Sequence, residues 1–483
     1  MRKILLFLVL LPLSVFSQNC SCEDNFEWLK KTFEENDAGF QYVIDMKGDG
    51  AYTQLNDEYR KKVKAITKDD ECVNTLKEWL LFFRSGHLSL NVAGSRGNTE
   101  LPDAKQIIEK YKGWEQYSIS EKEFKKYLSL LKEPGFEGIW ISEPYTIGII
   151  KREKEYIGFV MNSNDPYWKN NQIKLRIKPN KSGDGFEAVY YMKDHSIMNV
   201  RKIDKVGNNT MFFDWISFKR LYPEYTDTKS VKEYLELNTS SNPVAKQISK
   251  NTFLLRIPSF SEKKRKMIDS LIVSNRDMIS RCENLIIDIR NNGGGSDSSF
   301  QKLIPYLYTN PIRSIGVDYL STPLNNKRMD YFIASDDFTE TDKKWARKGL
   351  VKLNNNLGKF VNLEDSDEVQ VSKLDKISEY PKNVAILINE NNGSTAEEFL
   401  LLAKQSKKVK LFGTTTAGVL DISNMNFVDS PCKTLQLGYG LSRSRRIPDI
   451  AIDTKGIQPD YYIDKTIPSE DWIDFTEKIL LNE

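Results

Sequence analysis

Histidine is almost missing from this sequence, because only His87 and His195 occur among its 483 residues. Histidine is the side chain that most readily exchanges protons near neutral pH, so histidine-dependent chemistry has two candidates here. Cysteine is scarce too, and no two of the five cysteines have the C-x-x-C spacing of zinc or redox motifs. The sequence therefore argues against a structural zinc site, and we expect neither a metal nor an organic cofactor.

Long apolar runs are also missing beyond the N-terminus. Two basic residues precede an apolar run from Ile4 to Phe16, which is followed by serine and glutamine. This run is too short to anchor the chain across the ~30 Å core of a bilayer. The pattern predicts a secretory signal peptide over residues 1–18 and export to the periplasm, the cell envelope or the medium, with no transmembrane segment. A lipoprotein attached through Cys20 is the second alternative, disfavoured because Phe-Ser-Gln-Asn precedes Cys20 where lipoprotein sites need small residues.

Neither sign of charge dominates. The chain has 70 basic and 67 acidic residues, a net charge of +3, and the two signs are interspersed. A nucleic-acid backbone requires a basic stripe, which is missing here, so we expect no nucleic-acid partner. The length of the chain without its leader, about 465 residues, allows two or three domains.

The cysteines of an exported protein can form disulfides. Cys72 can pair with either Cys20 or Cys22, and either bond would tie the mature N-terminus to a later helix. Cys282 and Cys432 complete the set of five, and this odd number leaves at least one cysteine unpaired or intermolecular.

Three sequence patterns follow one another along the chain. Residues 19–130 have apolar residues at helical spacing and predict an N-terminal helical module that carries His87. Residues 131–230 change to short alternating strands with turn signals, typical of an inserted antiparallel β domain, either a barrel or a sandwich. The aromatic residues of this β domain form its core or, alternatively, line a ligand cavity. Residues 245–483 alternate strands and helices, which indicates an α/β domain with a largely parallel sheet.

One segment of the α/β region has the features of a nucleophile. The apolar strand Val384–Ile388 leads into a polar turn, and Ser394 opens the following helix. Serine nucleophiles use such corners, because the helix N-terminus has unpaired N–H groups and favours negative charge beside it. The alternative is a simple capping box, since Ser394-Thr-Ala-Glu397 also fits the pattern S-x-x-E.

A glycine-rich loop follows another predicted strand, in Asn284-Leu-Ile-Ile-Asp-Ile-Arg-Asn-Asn-Gly-Gly-Gly295. Sites in open α/β sheets assemble at the C-terminal ends of strands. Glycine N–H groups can approach a substrate oxygen closely, as an oxyanion hole requires. A plain turn is the alternative. A phosphate loop is disfavoured because its lysine, its Ser/Thr and the pattern G-x-G-x-x-G are all missing.

Two further residues are candidates for proton transfer. His87 follows a predicted helix end, where its side chain can face a cleft, whereas His195 lies inside the predicted β domain. Asp453 could orient a histidine directly or through a water molecule. A solvated loop aspartate is the simpler interpretation of Asp453.

Together, these segments resemble the S41 serine peptidases, the family of the tail-specific and tricorn-type proteases. The similar segments cover about residues 250–465, and they are Phe253–Phe260 (the strand that opens the family's domain), Asp288–Gly295 (its D-x-R-x-N-x-G-G loop), Ser394-x-x-Glu397 with Gly413 (its nucleophile helix) and Gly456–Asp460 (its G-[VI]-x-P-D ending). The resemblance implies a ClpP/crotonase-like α/β sandwich for the catalytic domain.

The sequence departs from the tail-specific branch at the general base. Val419 stands where that branch has a lysine, so the resemblance implies no Ser–Lys pair. The tricorn-type branch takes a histidine from an N-terminal helical module, which corresponds to His87. The acidic residue of that branch corresponds to Asp453, in place of the usual glutamate. Residues 135–225 also lack the carboxylate loop of a PDZ module, so tail specificity does not carry over.

These observations predict an exported serine peptidase that hydrolyses peptide bonds in proteins or peptides through an acyl-enzyme. Ser394 would attack the scissile carbonyl, with His87 as general base and Asp453 orienting the imidazole. The oxyanion donors would be the backbone N–H groups of Gly293, Gly294 and Thr395. With an unperturbed histidine as the base, activity should fall as the pH drops through about 6.5.

Two alternatives stay open. The first is a catalytically silent protein of the S41 fold that binds an apolar ligand through its β domain, with Ser394 as a helix cap. The second is an interaction protein of the cell envelope, in which the β domain docks a partner and the α/β unit is a scaffold.

Overall fold

The computed structural model describes residues 20–93, 104–181, 183, 185–336, 338–364 and 368–482. The predicted signal peptide, residues 1–18, lies outside these ranges. Within them, no helix is both long and apolar enough to cross a membrane. The same ranges contain no group of three or more His, Cys, Asp or Glu side chains arranged to hold a metal ion.

The N-terminal region consists of four helices around an aromatic cluster. They are α1 Cys22–Asn36, α2 Phe40–Lys47, α3 Asp49–Lys64 and α4 Asp69–Leu81. Trp79 on α4 is fully buried, and its ring centroid lies 5.7, 5.9 and 5.0 Å from those of Phe26, Phe33 and Phe83. The Trp79 indole N–H donates to Asn56 Oδ1 at 3.0 Å, so this buried polar group is satisfied. The prediction of a helical N-terminal region is confirmed.

Two disulfides fix the N-terminal region. Cys22 pairs with Cys72 and joins α1 to α4, which is one of the two pairings that the sequence leaves open. Cys20 pairs with Cys432, a partner 412 residues away that the sequence does not indicate. Cys282 is free and buried.

A nine-stranded antiparallel sheet forms the middle of the chain. After α4, the chain forms β1 Ser89–Val92, α5 Ala104–Lys110 and α6 Glu121–Leu128. The nine strands are β2 Gly138–Ser142, β3 Tyr145–Arg152, β4 Glu155–Ser163, β5 Ile173–Pro179, β6 Phe186–Tyr191, β7 Ile197–Val200, β8 Ile203–Val206, β9 Thr210–Phe213 and β10 Ile216–Tyr222. Their order is β7-β6-β5-β4-β3-β2-β10-β9-β8. The two edge strands, β7 and β8, are consecutive in the chain, so the sheet curls until its edges approach each other.

Aromatic side chains fill this curled sheet. Trp140, Tyr145, Trp168 and Tyr190 are all buried in one cluster. The Lys174 ammonium group lies over the Trp168 ring, 3.8 Å from its centroid, and over the Tyr145 ring at 4.1 Å. In the structure these aromatic residues therefore pack against one another and around a buried lysine.

The C-terminal part is built on a six-stranded sheet. Its order is β11-β12-β13-β18-β19-β22, with β11 antiparallel and the other strands parallel. The helices and strands of this part are α7 Lys229–Thr239, β11 Val244–Gln247, β12 Thr252–Arg256, α8 Glu262–Ser274, α9 Arg276–Ile279, β13 Asn284–Asp288, α10 Ile304–Leu307, β14 Ile312–Ile315, β15 Val317–Leu320, α11 Pro323–Ala334, α12 Glu340–Asn354, β16 Phe360–Val361, β17 Val369–Ser372, β18 Asn383–Ile388, α13 Thr395–Ala403, β19 Val409–Gly413, β20 Ile422–Asp429, β21 Leu435–Ser444, β22 Tyr461–Tyr462 and α14 Trp472–Leu480.

Both faces of the six-stranded sheet are buried, as its continuous apolar strands require. Alternate residues of each strand point to opposite faces: Leu285 and Ile287 pack with α8 and α13, whereas Ile286 packs with α7 and α14. The parallel strands end at one edge of the sheet, where the loops after β12, β13 and β18 meet. The glycine-rich loop and Ser394 both lie at this edge.

A second sheet joins the N-terminal region to the C-terminal part. Strand β21 is flanked by β20 on one side and by β1 and β15 on the other, and β16 pairs with β15. Ser89 lies opposite Gly438 and Val92 opposite Leu435. Leu437 and Tyr439 of β21 are buried in the same cluster as Trp79. The helical region and the C-terminal part thus share one hydrophobic core.

We expect non-reducing peptide mapping to find two cross-linked peptide pairs, Cys20 with Cys432 and Cys22 with Cys72. Their Cα atoms are 6.1 and 5.6 Å apart, within the range that disulfides span. Cys282 should react with an alkylating reagent only after unfolding, because it is buried. A Cys20–Cys22 or Cys20–Cys72 cross-link in the folded protein would contradict this pairing.

Candidate active site

Ser394 occupies the turn between β18 and α13. Its backbone has φ 54° and ψ −128°, a combination that residues with a side chain rarely adopt. The Ser394 N–H donates to the carbonyl oxygen of Val419 at 3.2 Å, which holds the turn in place. A strained strand-to-helix corner of this kind presents the serine hydroxyl outward, beside the N-terminus of the helix.

The capping-box alternative does not describe this turn. The Ser394 side chain makes no capping hydrogen bond to α13. The Glu397 carboxylate, fully buried, turns away from Ser394 and binds the next loop. It accepts the Thr416 hydroxyl at 2.5 Å and the N–H groups of Gly418 and Val419 at 2.7 and 2.9 Å. Glu397 therefore fixes the loop whose carbonyl at Val419 holds Ser394.

The structure brings His87 to Ser394 across 307 residues of sequence. The Nε2 atom of His87 lies 3.2 Å from Ser394 Oγ, within hydrogen-bond distance. His87 sits just before β1, so the pairing of β1 with β21 places this histidine over the edge of the six-stranded sheet. The serine and the histidine are thus in the relative position that a nucleophile and its general base require.

The environment of His87 keeps its imidazole neutral. Burial and, to a smaller extent, the positive charge of Arg84 lower the pKa of His87 to about 4, against the opposing effects of the Ile422 backbone and Asp37. The Nδ1 atom is buried and makes no hydrogen bond of normal geometry within the described residues. A neutral imidazole can accept a proton from Ser394 at ordinary pH.

Asp453 does not contact the imidazole. Its Oδ1 atom accepts the N–H groups of Leu420 and Asp421 at 2.7 and 2.6 Å, and Oδ2 accepts that of Ile422 at 3.3 Å. Burial raises the pKa of this carboxyl group, while these hydrogen bonds oppose the rise. Asp453 therefore holds the backbone of residues 420–422, and the backbone of Ile422 in this segment faces His87. The predicted contact between Asp453 and the imidazole ring is not formed.

The three predicted oxyanion donors differ in their surroundings. The Gly294 N–H is already used, because it donates to Asn292 Oδ1 at 3.0 Å. A side chain at Gly294 would lie 2.8 Å from both Ser394 Cβ and the Thr395 nitrogen, so glycine permits the close approach of the two loops. Gly293 is exposed, and neither its N–H nor that of Thr395 has a backbone partner in the described residues. Of the three predicted donors, Gly293 and Thr395 are available, and Gly294 is not.

Two buried asparagines form a scaffold that the sequence analysis missed. Asn292 donates to the Ile257 carbonyl at 3.1 Å, and Asn392 donates to the Asn292 carbonyl at 3.1 Å. Asn392 also accepts the N–H of Asn389 at 2.7 Å. Both side chains are fully buried and link the loops after β12, β13 and β18. The Asn-Asn pairs at 291–292 and 391–392 were the available signal, since buried asparagines satisfy irregular backbone.

An ion-pair network lies behind α13. Arg446 donates to Asp421 Oδ1 at 3.0 Å and to Glu398 Oε2 at 3.1 Å. Asp421 Oδ2 accepts the N–H groups of Ile452 and Asp453 at 2.6 and 2.8 Å. Asp421 and Asp453 thus hold each other's backbone, and Arg446 ties both to the nucleophile helix.

The second histidine belongs to the β domain. His195 is stacked between Trp168 and Tyr111, with ring centroids 3.9 and 4.3 Å away. Neither of its ring nitrogens has a hydrogen-bond partner within the described residues, and burial lowers its pKa to about 4. His195 is therefore a core residue of the β domain. Within the described residues it makes no hydrogen bond to Ser394.

Part of the chain is similar to a known protein family. Residues 251–463 match peptidase family S41. No curated protein matches the sequence at a significant level.

Several solved structures cover almost the whole chain. Mature CPAF is 12% identical, with 95% of this chain and 96% of that chain covered and a TM-score of 0.50. Mature CPAF complexed with lactacystin is 13% identical, with coverages of 95% and 97% and a TM-score of 0.51. The photosystem II D1 C-terminal processing protease is 11% identical, with coverages of 95% and 97% and a TM-score of 0.38.

At these identities, the likeness to CPAF shows a shared fold. The matched family segment contains β12, β13, β18 and β19, the glycine-rich loop and Ser394. The chain therefore carries a serine peptidase domain of family S41 over residues 251–463.

Proposed function

We propose that the protein is an exported, histidine-dependent serine peptidase that cleaves peptide bonds in proteins or peptides. The observation that carries this proposal is the 3.2 Å distance between His87 Nε2 and Ser394 Oγ. Two side chains from distant parts of the chain converge at the strand edge where α/β sites assemble. The side chain of Val419 cannot accept a proton, so His87 is the base.

The reaction follows from this geometry. Ser394 Oγ attacks the carbonyl carbon of the scissile bond while His87 Nε2 takes the hydroxyl proton. The tetrahedral intermediate collapses, His87 gives that proton to the leaving amine, and the acyl group stays on Ser394. Water then attacks the ester carbonyl, again losing a proton to His87, which returns it to Ser394 as the acid product leaves.

Backbone N–H groups at the edge of the sheet stabilise the oxyanion. Gly293 and Thr395 supply the donors, and Thr395 is also the first residue of α13, whose N-terminus favours negative charge. Gly294 supports this arrangement by allowing the glycine loop to approach Ser394 closely. Asp453 acts one step further away, through the backbone of residues 420–422.

Export is supported by the cysteines. Two disulfides join described parts of the chain, and structural disulfides are typical of proteins outside the cytosol. The sulfur atom of Cys20 is bonded to Cys432, so it is not available for an acyl chain. This pairing favours a signal peptide cleaved before Cys20 over a lipid anchor on Cys20.

Replacing Ser394 tests the nucleophile. Ser394→Ala should lower kcat by roughly 10⁶-fold, as in comparable triads, and should abolish labelling by a fluorophosphonate probe. His87→Ala should lower the labelling rate without removing the labelled serine. Labelling is measured by mass spectrometry of the intact protein. A folded wild-type protein that is never labelled at Ser394 would instead favour the catalytically silent binding protein.

The pH dependence should reflect the buried base. Since the pKa of His87 is lowered to about 4, its neutral, proton-accepting form persists far below pH 6.5. We expect kcat/KM to stay level from pH 8 to about 5 and to fall as the pH drops through about 4. The measurement is a pH–rate profile with thermal unfolding recorded at each pH. A decline centred near pH 6.5 in folded protein would contradict this environment of His87.

Glu397→Gln tests whether the buried carboxylate supports the nucleophile. The glutamine keeps the size of the side chain but replaces one acceptor oxygen with a donor, which would face the N–H group of either Gly418 or Val419. We expect a stability loss of roughly 1–3 kcal/mol, together with slower fluorophosphonate labelling of Ser394.

The matched control for Glu397→Gln is Asp227→Asn in the β domain. Asp227 also accepts a backbone N–H, that of Asn208 at 2.7 Å. This variant should lose stability but keep the wild-type labelling rate. Equal labelling rates for Glu397→Gln and wild type would show that Glu397 does not support Ser394.

A further inference from the structure

The imidazole of His87 lacks the partner that usually fixes it. In serine–histidine sites, a carboxylate bonded to the second ring nitrogen commonly orients the ring. Here no carboxylate within the described residues is hydrogen-bonded to the Nδ1 atom of His87: the backbone of Ile422 faces the ring without a hydrogen bond of normal geometry, and Asp453 binds backbone N–H groups instead. Without a carboxylate on the second ring nitrogen, the direction of the imidazole depends on the turn that carries it.

Arg84 binds this turn through its backbone. Its Nε atom donates to the carbonyl oxygen of Gly86 at 3.1 Å, and a terminal nitrogen donates to the carbonyl oxygen of His87 at 3.3 Å. His87 has φ 50°, a conformation that costs energy for a residue with a β-carbon. The guanidinium group of Arg84 thus binds both carbonyls of the strained turn that sets the direction of the imidazole.

Asp37 in turn fixes Arg84. The two side chains form a bidentate ion pair and are only 6% and 0% exposed, for Arg84 and Asp37 respectively. Asp37 also accepts the N–H of Gly39 at 2.9 Å and that of Gly440 on β21 at 3.2 Å. The pair therefore connects the helical region, the His87 turn and β21, and every nitrogen of the guanidinium group and both oxygens of the carboxylate form hydrogen bonds.

We propose that Arg84, held by Asp37, is the positioning residue for His87 and takes the place of a carboxylate bonded to the second imidazole nitrogen. This inference rests on the proposed function, in which His87 is the general base. Arg84 acts on His87 through the backbone and through its charge, and it does not touch the substrate.

The two members of the pair act on the imidazole with opposite signs. The positive charge of Arg84 lowers the pKa of His87, and the negative charge of Asp37 raises it. Asp421 and Asp453 lie on the neighbouring segment, where their negative charges raise the pKa of Tyr42. A purely structural role would not give opposite pH shifts for the two substitutions.

The test compares kcat, KM and the pH–rate profile of three variants. Arg84→Met should lower kcat about 10²-fold through misplacement of the imidazole, with little change in KM. The acid limb of its profile should move to higher pH, because the repelling charge is gone. Asp37→Asn should also lower kcat, but its acid limb should move to lower pH. Arg84→Lys keeps the charge, so its limb should stay in place while kcat falls, since an ammonium group cannot bind both carbonyls and Asp37 in the same geometry.

Arg220→Met is the matched control. Arg220 is a buried arginine of the β domain that donates to the carbonyls of Gly135, Glu137 and Asn208. It should lose stability with wild-type kcat and an unshifted acid limb. If Arg84→Met does not fold, the comparison of Arg84→Lys with wild type decides the matter.

Three outcomes separate this inference from the proposed function. Wild-type kcat in Arg84→Lys, or a shift of the same sign in Arg84→Met and Asp37→Asn, would overturn the positioning role. Full activity in His87→Ala would overturn the proposed function itself. Loss of activity in His87→Ala, together with opposite shifts of the acid limb in Arg84→Met and Asp37→Asn, would support both the proposed function and the positioning role of Arg84.

Discussion

The pairing of β1 with β21 is the contact on which the site depends. It docks the N-terminal helices onto the C-terminal part, in a register that sets Ser89 opposite Gly438. His87 lies two residues before this pairing begins, so the register of the strand fixes where the imidazole stands. A shared hydrophobic cluster, the Arg84–Asp37 pair and the Cys20–Cys432 bond strengthen the same junction. The serine comes from a locally encoded turn, whereas the histidine is delivered by tertiary packing.

The carboxylates around the site act mainly on the backbone. Glu397 binds N–H groups of the loop after β19, Asp453 binds those of residues 420–422, and Asp37 binds those of Gly39 and Gly440. Each is a negative charge that satisfies N–H groups of irregular chain which the sheets leave unpaired. The strained conformations at His87 and Ser394 persist because this framework over-determines them. Among the residues that the structure describes, these carboxylates hold the site through the backbone, and none of them is hydrogen-bonded to the imidazole.

Val419 is a contact between the turns that carry His87 and Ser394. Its side chain packs into the space beside Gly86 and Gly393, where a β-carbon on either glycine would collide with it. The position that is basic in the tail-specific branch is thus a small apolar contact between the histidine turn and the serine turn. The two glycines and the valine allow the two turns to lie close enough for His87 and Ser394 to meet.

The sequence by itself determined the local parts of this protein. Continuous apolar strands, the triple glycine and the serine at a helix start indicated the parallel sheet, its functional edge and Ser394, because these features depend on residues close in the chain. Only the tertiary structure decided the rest. It brings His87 to Ser394, bonds the Gly294 N–H to Asn292, bonds the Asp453 carboxylate to backbone N–H groups, and pairs Cys20 with Cys432. Those facts depend on strand register and packing between segments hundreds of residues apart, and no short-range pattern encodes them.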